Sequence, residues 1–468
     1  MKKLGDPLSF YKKVISEDFV NSLLESEEVA SRAGIFTASV VIWLMICQRL
    51  NPDHSLEKAL QSLRDGVAEG LLEDIVGSIR ARHRRISKGT GGYSQARSRV
   101  PVGVVEQVAD RLTESIISTH DRVGRERYNI YVIDGSSVQI SHTANNLSRY
   151  PVSRNQHGEA HYPLVRLCVA TNVENGVCLR PAYGALNGSE AVSELQLSEE
   201  LLLRLPKSSI VIGDRYFGCF RFAALSVRNG HRIICRMKED NAVKFIGKPK
   251  SASGEQEIDW TPSSHEQKKY ADPHHPQVKG RIIWHRLSRK GYRTENLVLF
   301  TTLDLPASDI VEIYGLRWNV ETDLRDIKST LDMNFIDAKS PDMIAKELIL
   351  GICAYNLIRH MIDSAADASK IRTRNFSFSK VLRLVNSIAF VIIENRSDAF
   401  VQKYLRDELT NVQSLLLPSR RATRDDEPRR IWRRGGGTAP YFSDSRKNEQ
   451  KKLKESKKIY KNNGLRVN

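Results

Sequence analysis

Residues 128–137 read YNIYVIDGSS, an apolar run rich in β-branched and aromatic residues that leads to Asp134. Such a run predicts a β-strand, and the Gly and Ser that follow let the chain turn sharply at the carboxylate. Residues 209–218 read SIVIGDRYFG and repeat this arrangement around Asp214. Either aspartate alone could be an ordinary turn or helix-capping residue, but two such cases in one domain favour a functional role for both.

The segments around these two runs predict a mixed α/β core of about five strands. Short runs bounded by Gly, Asn or Pro indicate strands, and apolar residues at helical spacing indicate helices. The additional strands are expected at Pro163–Ala170, Val177–Tyr183 and Arg232–Met237, and the helices at Ser189–Leu205 and Phe220–Val227.

Changes in composition along the chain predict five regions. A helical N-terminal domain is expected, then a catalytic core in two pieces separated by a β-rich insertion with strands near Ile282–Leu287 and Leu297–Thr302, then C-terminal helices and a tail. A long helix should begin at an N-cap, Ser308, and run to about Met333. The tail holds 16 Lys and Arg against 6 Asp and Glu, which favours disorder. The boundaries are 1–125 for the N-terminal domain, 126–238 and 304–365 for the core, 239–303 for the insertion, 366–418 for the C-terminal helices and 419–468 for the tail.

The charge of the chain predicts a polyanionic partner. Seventy-two Lys and Arg against 55 Asp and Glu give a formal net charge of +17, which favours nucleic acid through neutralisation of phosphates. No membrane role is expected, because the longest apolar run, Ala33–Cys47, is shorter than the ~20 residues that cross a bilayer. The six cysteines occur singly, without the close pairs of zinc or redox sites, and are typical of thiols in a reducing cytosol.

A basic cluster in the second half of the N-terminal region is suited to DNA phosphates. Arg84, Arg85 and Arg97 are its candidate DNA-binding residues and flank a glycine-rich loop at Gly89–Gly92. The alternative is a solvated basic surface without a ligand.

Residues 314–328, YGLRWNVETDLRDIK, predict a helix that presents polar side chains on one face. Tyr314, Glu321 and Lys328 are seven residues apart, and Arg317 lies four residues before Glu321, so all four can meet one ligand. Cleavage of phosphodiesters needs carboxylates that hold two divalent ions about 3.5–4 Å apart, and Glu321 is placed to join the two aspartates. A salt-bridged surface helix is the alternative. The same projection turns Asp323 and Asp326 away, so Asn at either position should leave activity intact.

These motifs together resemble the insertion-sequence-four group of bacterial DDE transposases. The resemblance rests on IDGS at 133–136, GDRYFG at 213–218 and the Tyr314-x2-Arg317-x3-Glu321-x6-Lys328 signature, and covers roughly residues 30–365. It implies a ribonuclease-H-like core of the retroviral integrase superfamily, in which Asp134, Asp214 and Glu321 are the catalytic and metal-binding triad. It also implies that Tyr314, Arg317 and Lys328 contact the DNA backbone near the scissile phosphate.

The resemblance further implies the ligands and the setting. Two Mg²⁺ ions, for which Mn²⁺ can substitute, would serve cleavage of the transposon inverted-repeat ends and their joining to target DNA. Two ends imply a homodimer, in the bacterial cytoplasm and associated with the nucleoid.

A metal-dependent nuclease without strand transfer and a domesticated DNA-binding protein remain alternatives. Some members of the family that this chain resembles carry, near the strand at Asn296–Thr302, a Trp that stacks on a base flipped out of a hairpin intermediate. That strand has no Trp here, so Trp260 or Trp284 would have to replace it, and a hairpin pathway stays open. His157 and His161 in HGEAH imitate a zinc helix that Gly158 and Pro163 would spoil. Trp318 is expected to pack in the core.

Overall fold

The computed structural model describes residues 7–31, 34–66, 68, 71, 86–121, 129–156, 158–248, 251–270, 277–287, 295–393, 412–417, 444–445 and 447–451. The helices are α1 (Pro7–Val14), α2 (Glu17–Ser26), α3 (Ala38–Leu50), α4 (Leu56–Asp65), α5 (Gly91–Arg99), α6 (Val102–Asp121), α7 (Ala144–Arg149), α8 (Glu194–Arg204), α9 (Phe220–Arg228), α10 (Glu239–Ile246), α11 (Ser264–Tyr270), α12 (Ala307–Gly315), α13 (Trp318–Arg325), α14 (Pro341–Ser369), α15 (Phe378–Ile393) and α16 (Val412–Leu415). The strands are β1 (Ile130–Ile140), β2 (Arg154–Asn155), β3 (Gly158–Glu159), β4 (Leu164–Asn172), β5 (Ala182–Ala185), β6 (Ile210–Gly213), β7 (Arg232–Arg236), β8 (Ser253–Trp260), β9 (Val278–Leu287), β10 (Glu295–Thr301) and β11 (Phe335–Ile336).

A mixed sheet of nine strands forms the centre of the molecule. Its order is β5-β4-β1-β6-β7-β10-β9-β8, and β11 also pairs with β1. Strand β1 runs parallel to β6 and antiparallel to β4. Side chains of β1 alternate between two hydrophobic cores, since Val132 faces one and Ile133 the other.

The strand expected at Val177–Tyr183 is wrong in its extent, because β5 begins only at Ala182 and Cys178 forms an isolated bridge with Thr171. The other strands and helices that the sequence predicted for the α/β core are confirmed, with shifted ends.

The residues expected to form a β-rich insertion continue the central sheet. Strand β10 pairs antiparallel with β7, and β9 and β8 follow it. Residues 239–264, within the expected β-rich insertion, contain the helix α10 as well as the strand β8. Most side chains of β8 are exposed, so the strand depends on backbone pairing with β9 at the sheet edge and gives little apolar signal.

The N-terminal helices pack against the long helix α14. Helices α3 and α6 contact α14 directly and share a hydrophobic core with one face of the sheet. Buried Lys346 of α14 donates hydrogen bonds to the backbone oxygens of Arg97, Ser98 and Val100 at 2.9, 3.2 and 2.7 Å, and so satisfies the C-terminal end of α5. No helix among the described residues is long and apolar enough to cross a membrane.

The prediction of one continuous helix from Ser308 to about Met333 is wrong. The chain forms α12, which begins at Ala307 after Pro306, then α13, then a π-helical turn at Asp326–Thr330. Tight backbone hydrogen bonds, Leu316 to Ile313 and Arg317 to Tyr314, separate the first two helices. Sequence spacing alone does not reveal this, because a break and a π-turn leave the order of polar residues unchanged.

A buried ion-pair network fixes α13 to α14. The Asp323 carboxylate is fully buried and accepts hydrogen bonds from Tyr355 at 3.0 Å, Arg359 at 2.7 Å and Arg374 at 2.6 Å. Arg359 also reaches Asp326 at 3.2 Å. Asp323 is therefore a structural anchor of the motif helix, and the expectation that it tolerates Asn does not fit its surroundings.

We expect Asp323→Asn to lower the free energy of unfolding by about 3–5 kcal/mol, because it leaves buried guanidinium groups without their carboxylate. Urea unfolding of the full chain measures this. Lys339→Met is the control: it removes an exposed ion pair with Asp337 and should change stability by less than about 1 kcal/mol. Equal effects of the two variants would show that the buried network does not hold the helix.

Candidate active site

Asp134 lies within the central strand β1 and is partly buried. Its Oδ1 accepts a hydrogen bond from the backbone N–H of Gly135 at 2.9 Å. Burial raises the pKa of Asp134 to about 6, the Gly135 hydrogen bond opposes this rise, and the charge of Asp214 adds to it. The carboxylate is thus held beside like charge, at a position where a cation would be favoured.

Asp214 follows β6 directly and lies next to Asp134. The parallel register pairs Ile133 with Gly213, so the next residue on each strand is an aspartate. Its Oδ1 accepts the backbone N–H of Tyr216 at 2.8 Å, which turns the chain away from the strand. Gly218 completes the turn, because any side chain there would overlap the backbone of Arg236.

The third acid and two cations of the motif come from the helical segment that packs on β1. Helix α13 contacts β1, and Arg317 donates to Glu321 at 3.1 Å. The Glu321 side chain is 48% exposed. In the π-turn, Lys328 donates to Ser136 of β1 at 3.3 Å. Ser136 is two residues after Asp134 and so lies on the same face of the strand.

Tyr314, at the end of α12, is the fourth residue of the motif and is buried, with 8% of its surface exposed. Burial raises the pKa of Tyr314 to about 12, while Arg317 and Arg236 lower it and the charge of Asp214 raises it further. Its electrostatic neighbours are therefore those of the aspartate pair. The side chain keeps a neutral hydroxyl, which can donate a hydrogen bond to an anion.

The aspartate pair fits a divalent cation better than Glu321 does in this arrangement. Asp134 and Asp214 supply hard oxygen ligands side by side, and a cation would offset their repulsion. Among the described residues, no three acidic, His or Cys side chains are already grouped as metal ligands. Glu321 is instead bonded to Arg317, so it would have to exchange that guanidinium for the metal.

Residues 125–357 match the transposase DDE domain family. The chain carries a transposase DDE domain. It is also similar to the transposase InsG for insertion sequence element IS4 of Escherichia coli (strain K12), with 21% identity over 434 residues that cover 89% of this chain and 91% of that protein. The relationship is distant but extends over most of the chain. The resemblance drawn from the motifs is thereby confirmed, and all six of its residues lie within the DDE domain.

The three N-terminal arginines predicted to bind DNA lie outside the DDE domain, and the structure describes only one of them. Arg84 and Arg85 fall outside the described residues. Arg97 is only 7% exposed, and its guanidinium pairs with Glu347 at 2.5 Å. Its predicted role as a surface contact for DNA phosphate does not fit this placement, because helix α5 directs it into the interface with α14.

The tryptophans considered for base contacts occupy contrasting places. Trp260 is buried against Phe300, and Trp284 lies on β9 against Gly254. Trp318, expected in the core, is instead 64% exposed, and the Arg317 guanidinium lies 4.8 Å from its ring centroid. The break before α13 explains this, because the side chain leaves the face that a continuous helix would bury.

Sequence reasoning missed Glu194, a residue of the DDE domain whose charge acts on Asp134. Glu194 begins α8 and pairs with Arg166 of β4 at 3.3 Å. Its charge contributes to the raised pKa of Asp134 after burial and Asp214. No motif marks Glu194, which is 60 residues from Asp134 and reads as an ordinary first-turn acid of a helix; Gly135 was the one available signal.

We expect Asp134→Asn to stabilise the metal-free protein at neutral pH. The folded pKa of about 6 exceeds the ordinary 3.8, so ionisation of the carboxyl lowers the stability of the folded state as pH rises from about 3.8 to about 6, and the full loss is present above that range. In EDTA at pH 8 the variant should gain about 1–3 kcal/mol, and the gain should vanish below about pH 3, where the carboxyl is protonated in both the folded and the unfolded protein. Urea unfolding across this range tests it; a gain that is independent of pH would contradict a buried, repelled carboxylate.

Proposed function

We propose that this chain is a cut-and-paste DNA transposase. It would bind the terminal inverted repeats of its element, cleave phosphodiester bonds there and join the freed 3′-OH ends to target DNA. The observation that carries the proposal is the adjacency of Asp134 and Asp214 on parallel strands, with Glu321 on a helix packed against the same strand, inside a transposase DDE domain.

The strand order supports a ribonuclease-H-like core. Strands β5, β4 and β1 are consecutive and antiparallel, and β6 and β7 continue parallel to β1 on its other side. This topology brings an acid at the middle of the first strand beside an acid at the end of the fourth core strand, β6. Strands β8 to β10 add to the edge of the sheet beyond β7, and so do not separate β1 from β6.

Two Mg²⁺ ions, or Mn²⁺ in their place, would be held by Asp134, Asp214 and Glu321. Bound there, they would supply Lewis-acid activation of the attacking oxygen and stabilisation of the leaving oxygen. Glu321 now pairs with Arg317. If Arg317 bound a DNA phosphate instead, the Glu321 carboxylate would be released and could bind the metal ions. Arg317 would thus link the arrival of DNA to completion of the metal site.

The remaining motif residues would position the DNA backbone. Lys328 is held over β1 by Ser136 and can offer its ammonium to a phosphate on the face of Asp134. Tyr314 can donate its neutral hydroxyl beside Asp214. The net charge of +17 supports binding to DNA of any sequence, both the transposon ends and the target. Two transposon ends would require a homodimer in the synaptic complex.

We expect Glu321→Gln to reduce cleavage and strand transfer by at least about 10²–10³-fold, since it keeps the shape but removes the ligand charge. Supercoiled donor DNA with both ends, in Mg²⁺, measures nicking, double-strand breaks and joining. Glu312→Gln, an exposed change on α12, is the matched control and should leave all three unchanged. End binding should persist in both variants.

Robust nicking by Glu321→Gln, or by the unaltered protein in excess EDTA, would contradict the proposed site. Cleavage without any joined product would instead identify a metal-dependent nuclease. Binding to ends without cleavage by the unaltered protein would identify a domesticated DNA-binding protein.

A further inference from the structure

The turn that follows Asp214 presents a cation and an aromatic ring to solvent beside the proposed metal ligands. Arg215 is exposed and Tyr216 is 50% exposed, whereas the next residue, Phe217, is fully buried. A half-exposed ring gives up much of the stabilisation that its burial would bring, which favours a role for Tyr216 outside the core.

Three contacts fix Tyr216 although half of its surface is exposed. Its backbone N–H donates to Asp214 Oδ1 at 2.8 Å, its hydroxyl interacts with the Ser193 side chain, and its ring meets that of Phe217 edge-on, with centroids 5.5 Å apart. Ser193 is itself fixed, because it caps α8 and forms a capping box with Gln196. A side chain that is already ordered loses little conformational entropy when it binds a ligand, so Tyr216 is suited to contact one.

The turn is also held on the far side of Tyr216. Asp214 Oδ1 accepts the backbone N–H of Phe217 at 3.4 Å, which closes the turn from within. Gly218 lies so close to the backbone of Arg236 that no side chain would fit there. The position of Tyr216 relative to Asp214 is therefore set by the protein alone.

DNA at the proposed metal site would lie against this turn. Tyr216 is two residues from Asp214, a span of at most about 7 Å. Successive nucleotides of a strand rise by about 3.4 Å along the DNA axis, so Arg215 and Tyr216 lie within a few nucleotides of the scissile phosphate. A cation for the backbone and an aromatic ring for a base are the side chains with which proteins bind bases that have an uncovered face.

The ring of Tyr216 needs a base whose own face is open. Within an uncut duplex both faces of every base are stacked on neighbouring bases. Cleavage at a transposon end uncovers one face of the terminal base pair, which adjoins the scissile phosphate. Because the Tyr216 hydroxyl is engaged with Ser193, the ring face is the part of the side chain that can meet this base pair.

We propose that Tyr216 stacks on the terminal base pair of the cleaved transposon end, while Arg215 binds a neighbouring backbone phosphate. This contact would hold the cut end, with its 3′-OH, in the site until strand transfer. The inference rests on the proposed function, since it concerns the DNA bound at the same site. The competing explanation is structural: Tyr216 would only cover the start of α8 and the edge of Phe217.

The affinity of the full chain for two terminal-repeat duplexes separates these explanations. One duplex stops at the cleavage point and the other continues through it into flanking DNA, and both are measured in EDTA to prevent cleavage. We expect Tyr216→Ala to weaken binding to the pre-cut duplex by about 5–100-fold, through loss of one aromatic–base stack, and to leave binding to the uncut duplex nearly unchanged. Tyr216→Phe keeps the ring and should bind the pre-cut duplex nearly as the unaltered protein does.

Tyr162→Ala is the matched control and should leave both affinities unchanged. Tyr162 is 44% exposed in the same domain, but it precedes β4, whose Leu164 pairs with Gln139 of β1. Gln139 is about 17 Å along the strand from Asp134. A terminal 2-aminopurine gives a second readout, because stacking quenches its fluorescence: the unaltered protein and Tyr216→Phe should quench it on binding, and Tyr216→Ala much less.

The contact of Arg215 is tested by salt. Arg215→Met should weaken binding to both duplexes and lower the slope of log affinity against log salt by about 1, through loss of one phosphate contact. Lys207→Met is its control: Lys207 is an exposed cation on the turn before β6 rather than after it, and the slope should not change. An unchanged slope in Arg215→Met would contradict the phosphate contact.

Equal losses of Tyr216→Ala on pre-cut and uncut DNA, or full affinity for the pre-cut duplex, would overturn the inference. Urea unfolding shows whether the variant is folded. Tyr216→Leu, which keeps apolar bulk against Phe217 but has no ring to stack, replaces Tyr216→Ala where that variant does not fold, and the same loss confined to pre-cut DNA is expected.

The proposed function can fail separately. If the unaltered protein cleaves transposon ends in Mg²⁺ while Tyr216→Ala binds pre-cut ends at full strength, the function stands and Tyr216 has no part in holding the product. If the unaltered protein neither prefers terminal-repeat DNA to random duplex nor cleaves it, both proposals fail.

Discussion

The parallel pairing of β1 with β6 is the constraint on which the proposed site depends. It joins Ile133 to Gly213, and so places two aspartates, 80 residues apart in the chain, on adjacent strands at the same level. The pairing is fixed by apolar residues on both faces, since a slip of one residue would turn every buried side chain to the wrong core. The cost is a carboxylate whose pKa is raised by burial and by its neighbour. A cation would relieve that cost, so the proposed metal-binding role of Asp134 would oppose the stability of the metal-free protein.

The second requirement is that the motif helices keep a fixed relation to this strand pair. Asp323, Arg359 and Arg374 provide it from within the protein, by tying α13 to α14 and to the turn at Thr373–Asn375. Helix α14 in turn carries the N-terminal helices. The ion pair between Arg317 and Glu321 lies on the more exposed side of α13, away from this buried network. Rigid support beneath an exchangeable ion pair suits a site that completes itself when a polyanion arrives.

The sequence predicted most strands of the α/β core and the turn at Asp214, because buried strands and the turns after them have strong local signatures. The turn expected at Asp134 is wrong, because β1 continues through Gly135 to Ile140. It could not predict the division of the motif into α12, α13 and a π-turn, since a spacing of seven residues survives such breaks. The burial of Arg97 and Asp323 was missed for a different reason: their partners, Glu347 and Arg359, are distant in sequence. Trp318 was expected inside and lies outside as a consequence of the same helix break. Glu194 needed the three-dimensional contact with Gly135 to be noticed.

The central claim is that Asp134, Asp214 and Glu321 form one divalent-metal site when DNA is bound. Anomalous diffraction from crystals of the full chain with Mn²⁺ and a transposon-end duplex tests it most directly. The account predicts Mn²⁺ peaks between Asp134 and Asp214, with Glu321 turned from Arg317 to the metal and Arg317 on a phosphate. Mn²⁺ peaks away from the two aspartates, or Glu321 still bonded to Arg317 beside an occupied site, would contradict it.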